Sequence, residues 1–74
     1  MGENLKNKAE FIVVMINEFA KRHQLNGSQA FRYLDRYHGI DMLDKHYDIA
    51  HTLRFEDVLS DMTAYCQRWG GAIQ

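Results

Sequence analysis

Seventy-four residues, 46% of them hydrophobic and 26% charged, suffice for one domain and leave no room for a second core. The lone cysteine excludes an internal disulfide, so a chain that buries only about 60% of its unfolded surface must be held by packing or by association. Nine basic residues against ten acidic give a net charge of −1, which counts against a dedicated nucleic-acid binder.

The start is polar and carries no signal-peptide pattern, and Lys6 stands where a myristoylation motif at Gly2 would need Ser or Thr. The longest apolar run, residues 11–16, is far below the ~20 residues that cross a bilayer. A cytoplasmic protein without a membrane partner is expected.

Proline is absent, so only glycine and capping chemistry can interrupt a helix. A first helix is predicted over residues 5–23, with Ala9, Ile12, Val13, Ile16, Phe19, Ala20 and His23 as its inner stripe. Phe11 and Met15 widen that stripe, so this helix is either central in the bundle or shared with another molecule. Lys21 and Arg22 suit the negative pole at its end. Asn26-Gly27 reads as a turn and Ser28 as the N-cap of a second helix over residues 29–37, with Ala30, Phe31, Leu34 and Tyr37 inside. Gly39 is placed to end it in the left-handed conformation. Asp41 can cap a third helix over residues 42–50 that turns Leu43, Tyr47 and Ala50 inward. The fourth, residues 55–69, repeats Phe55, Val58, Leu59, Met62, Tyr65, Cys66 and Trp69 at the helical period, and Gly70-Gly71 stops it. Glu56 and Asp57 complement the positive pole of its first turn. The fold class is all-α: one small bundle of three long helices plus one short helix.

Chemistry-bearing residues concentrate between His46 and Thr52. His46 and His51 are five apart, about 140° around a helix, where a shared metal ion needs three or four. Asp48 and His51 are three apart and can hydrogen-bond on one face, which ties the third helix to the loop after it. Cys66, between Met62 and Trp69 on an apolar face, is placed as an inert core thiol. With no glycine-rich phosphate loop and no persuasive carboxylate pair, no catalytic, metal or cofactor site is expected, and the protein reads as a non-enzyme.

Two binding readings remain. Residues 20–37 read as helix, turn, helix, with Gln29, Arg32, Tyr33 and Arg36 on the exposed side, as in a DNA-binding regulator. Against it, Gln24 stands where the turn glycine is usual, and Asp35 and the charge balance suit phosphate poorly. The leading reading, to which DNA binding is the alternative, is a protein-binding surface made of Arg32, Tyr33, Arg36 and Tyr37 with His38 beside them, and of His46, Asp48 and His51, since Tyr and Arg are enriched at interaction hot spots. Its occupant is another protein or a second copy of the chain.

The run Phe11-Ile12-Val13-Val14-Met15-Ile16-Asn17-Glu18-Phe19-Ala20, then Ala30-Phe31-Arg32-Tyr33-Leu34, then His46-Tyr47-Asp48 with His51-Thr52-Leu53, resembles the bacterial family called domain of unknown function 3791. The resemblance spans residues 10–69. It implies a bacterial cytoplasmic accessory protein of one small helical domain, and an antitoxin or immunity role beside a toxin-like protein encoded nearby. One departure stands at Arg54, where the family has a small capping residue before Phe55; Thr52 is then expected to take over as cap.

Overall fold

The computed structural model of the chain describes residues 7–71. The readings at Gly2 and Lys6, and the expected helix start at Leu5, lie outside the described residues. Within them there are five helices and no strand: α1 Lys8–Arg22, α2 Gly27–Arg36, α3 Gly39–Lys45, α4 Tyr47–Ala50 and α5 Phe55–Arg68. None of these is long and apolar enough to cross a membrane.

The helix ends are set by chemistry that differs from expectation at several places. The Asn7 carboxamide oxygen accepts from the Glu10 N–H at 2.8 Å and opens α1. At its far end Leu25 N–H reaches the Ala20 carbonyl at 2.8 Å, and Gln24 N–H reaches the Lys21 carbonyl. That is a Schellman closure, and it forces Gln24 to φ 59°. The positive φ expected at Asn26-Gly27 is therefore taken two residues earlier. Asn26, not Ser28, then caps α2: its side chain accepts from Gln29 N–H at 2.8 Å, and the Gln29 side chain accepts from Asn26 N–H at 2.9 Å.

The left-handed residue after α2 is His38, at φ 68°, and not Gly39, which instead begins α3. Asp41 accordingly lies inside α3 and caps nothing. The helix expected over residues 42–50 starts three residues early and breaks at His46, where φ −107° and ψ 19° leave the α-region. Arg54 precedes α5 without a side-chain cap, and Thr52 does not replace it, because its hydroxyl donates to the Ile49 carbonyl at 2.7 Å. Arg54 lies 3.5 Å from the Asp57 carboxylate, so first-turn acids offset a cation at the positive helix pole.

An L-residue at αL costs about 1–2 kcal/mol, which glycine avoids. Gln24 is exposed, so nothing else is lost on replacing it. Gln24→Gly is expected to stabilise the fold by about 0.5–1 kcal/mol, once glycine's extra unfolded-state freedom is subtracted. A thermal melt should show the midpoint rising by a few degrees; an unchanged or lower midpoint would mean the strain is absent.

Helix α1 is central, packing on α2, α3 and α5. Phe11, Met15 and Phe19, at i, i+4 and i+8, are buried at 1%, 0% and 0% exposure and form its core edge. The extra apolar width of the first helix is thus used inside the bundle. Val13, expected inside, is 56% exposed, and Ala9 is exposed too. Ala30, Leu34, Leu43, Val58, Met62 and Cys66 complete the interior. Phe31, Phe55 and Trp69, also expected inside, are 48%, 39% and 55% exposed. Phe55 and Trp69 sit at the two ends of the last helical stripe, beyond the reach of the core.

Candidate protein-binding site

The candidate residues on α2 divide by depth. Arg32 and Arg36 are exposed, whereas Tyr33 and Tyr37 are half-buried and belong to the packing. Tyr33 stacks on Phe19, with ring centroids 5.7 Å apart, and meets Tyr37 at 4.9 Å. Its hydroxyl is buried and has no hydrogen-bond partner among the described residues. Burial, then the neighbouring Cys66 and Tyr37, push its pKa up to about 12. A Cβ built on Gly71 would fall 2.7 Å from that hydroxyl and 2.8 Å from the Tyr37 ring, so the chain after α5 lies against both tyrosines. Tyr33 was expected on the exposed side; Gly71 and Phe19 cover it instead.

The DNA-reading face changes as well. The turn from α1 to α2 is His23 to Asn26, four residues, so its length suits a helix-turn-helix. Gln29, however, spends its side chain on the capping box. Arg36 leans over Tyr37, its guanidinium carbon 5.7 Å from the ring centroid.

Around α4, His46 and Asp48 are exposed and His51 is half-buried. The His51 Nδ1–H donates to the Tyr47 carbonyl at 2.7 Å, and the two rings stack at 4.5 Å. The expected Asp48–His51 hydrogen bond is replaced by this backbone contact, because the single turn of α4 brings the carbonyl four residues back directly under the imidazole. Tyr47 in turn meets Phe11 edge-on at 5.4 Å. The His-Tyr-Asp segment is thus anchored by Tyr47 and His51, leaving His46 and Asp48 to solvent. Among the described residues no group of three or more His, Cys, Asp or Glu is placed to hold a metal ion. The α2 and α4 candidates do not form one patch: α2 packs chiefly on α1 and α3, and α4 on α3.

A groove of about 330 Å³ runs beside α4 and α5. Met42, Ile49, Ala50, Leu53, Val58 and Ala64 supply its apolar surface, and His46, Asp61, Tyr65 and Arg68 its polar rim. Ile49 and Leu53 keep 64% and 40% of their surface in water. Sequence reasoning took only His46 of this set. The available signal was the phase of the third helix at Ile49, which must face away from the core once Tyr47 and Ala50 face it; Leu53 lies beyond the end of α4 and carries no such signal.

At the opposite side His23 links α1 to α5. Thr63 donates its hydroxyl hydrogen to the Leu59 carbonyl at 3.0 Å, so its oxygen accepts from His23 Nε2–H at 3.3 Å. Burial first, and the Arg22 guanidinium second, hold the His23 pKa below its usual 6.5. The unfolded chain then binds this proton more readily than the native one. The associated stability is complete above pH 6.5 and is lost as the pH falls through the lowered native value. Urea midpoints are expected to drop on acidification below pH 6.5, and His23→Gln should flatten that part of the profile. An identical pH slope in the variant would place the dependence on other groups.

No curated protein and no solved structure gives a significant match to the chain. A family model does match, over residues 10–69, which takes in all of the groove and every described helix except Lys8 and Ala9 of α1. The chain belongs to the family described as "Protein of unknown function (DUF3791)".

Proposed function

We propose that the chain is a non-enzymatic protein-binding module whose contact surface is the groove beside α4 and α5. The observation that carries this reading is the exposure of Ile49 and Leu53, at 64% and 40%, along an apolar groove with a charged rim. Isolated apolar residues on a surface are ordinary, but two that border one concave strip form an anchor site. Such a strip suits the apolar face of a helix presented by another chain. His46 before α4, and Asp61, Tyr65 and Arg68 on α5, give the groove a polar rim. The role in keeping with the family resemblance is that of an accessory or antitoxin-type protein in the bacterial cytoplasm, held on a toxin-like protein.

Ile49→Asp and Leu53→Asp test the site, because both side chains are exposed and their loss spares the core. A tagged copy isolated from its host at moderate salt should carry one protein in stoichiometric amount, identified by mass spectrometry. Each Asp variant should retain at least about tenfold less of it while melting at the wild-type temperature. Equal retention by the variants would dismiss the groove, and a wild-type chain that is both bare and monomeric would dismiss the module.

A further inference from the structure

The rim of the groove has a polarity of its own. On α5, Asp57, Asp61, Ala64 and Arg68 are all exposed, and their spacings of four, three and four place them on one stripe. Acid lies toward the start of the stripe and base toward its end. Among the described residues neither Asp61 nor Arg68 has an ion-pair partner. Arg68 lies over the Tyr65 ring, 5.8 Å from its centroid, and so along the groove.

We infer that the groove is closed by a second copy of the chain, with the two α5 helices antiparallel about a two-fold axis between Ala64 and Tyr65. This deepens the protein-binding reading and rests on it for the site. Residues 61 and 68 are about 10.5 Å apart along the helix axis, and the proposed axis passes midway. Antiparallel pairing therefore sets Asp61 of each copy opposite Arg68 of the other, twice. The same operation sets the small Ala64 opposite the larger Tyr65, so the backbones can approach without a clash. Parallel pairing would oppose Asp61 to Asp61 and Arg68 to Arg68. A two-fold interface needs a surface complementary to itself, and this stripe is so in both charge and size. Ile49 and Leu53, flanking it, supply the apolar area that closure removes from water.

The test is a charge exchange on the full chain, read by analytical ultracentrifugation over a concentration series. The wild type is expected to dimerise, more weakly as salt is added. Asp61→Arg and Arg68→Asp, each alone, should weaken the dimer by about tenfold or more, since each turns two attractions into repulsions. The double exchange should restore it. An equimolar mixture of the two single variants should form the mixed dimer, because all charges are then matched across the interface. Both residues are exposed, and equal melting temperatures at dilutions where every form is monomeric confirm intact folds. A monomeric wild type at millimolar concentration overturns the inference, as does a dimer indifferent to both single exchanges. If the wild type is monomeric while Ile49→Asp still loses a captured partner, the second copy is refuted and the binding module stands.

Discussion

Phe19→Ala should leave the chain largely unfolded at physiological temperature. Phe19 has no exposed surface, stacks on Tyr33 at 5.7 Å and meets the His23 ring at 4.5 Å. It joins α1 to α2 through Tyr33, and through His23 and Thr63 to α5. Truncating such a side chain costs about 3–5 kcal/mol, transfer and residual cavity together. A domain of 74 residues has roughly 4–11 kcal/mol of total stability. Loss of most of the far-ultraviolet helical signal at 37 °C is the expected readout, with urea unfolding of the residue at lower temperature giving the size. Val13→Ala, on the same helix but 56% exposed, should stay within about 0.5 kcal/mol of wild type. If both variants melt alike, the assigned core edge of α1 is wrong.

Gly39→Ala carries the second large effect and runs against helix propensity. Alanine exceeds glycine by about 1 kcal/mol in a helix, and Gly39 lies in α3. The added Cβ, however, would fall 2.6 Å from Leu34 Cδ2 and 3.0 Å from Cys66 Sγ. Both neighbours are fully buried, so neither has solvent to move into. Overpacking of this kind costs about 1–3 kcal/mol, and destabilisation is the expected sign in a urea titration. Adding Leu34→Ala opens space beside the new methyl, so the double variant should lose less than the sum of the singles. Strict additivity would show that the close approach is not there.

These two residues also show what the amino-acid order discloses and what it withholds. The class of fold, the helices around Ala30–Leu34 and Val58–Cys66, and the stop at Gly70-Gly71 are all written in periodicity and glycine placement. The phase of α1 is less so. From residue 11 to residue 16 it is apolar on every side, and only the volumes packed against it decide that Phe11 and Met15 sit deep while Val13 does not. Helix ends misled for a related reason. Gly39 looks free to turn left-handed, but its missing side chain is needed for contact with Leu34 and Cys66, so His38 turns instead. Of the candidate surface, Arg32 and Arg36 are exposed as expected, and His46 and Asp48, whose depth the sequence left open, are exposed as well. Tyr33 was hidden from sequence reasoning because Gly71, which covers it, is 38 positions further along the chain.

Cys66 gives the molecule a clock. It is the chain's sole thiol, it has no exposed surface, and burial raises its pKa to about 11. In the closed state it offers almost no thiolate and no approach to an electrophile. Modification must wait until α5 lifts from α1 and α3, and each modified molecule records one such opening. A disulfide reagent added in excess would therefore read the opening equilibrium of the unaltered protein, without a label or an engineered site. The same burial makes the chain indifferent to the redox state of its surroundings for as long as it stays folded.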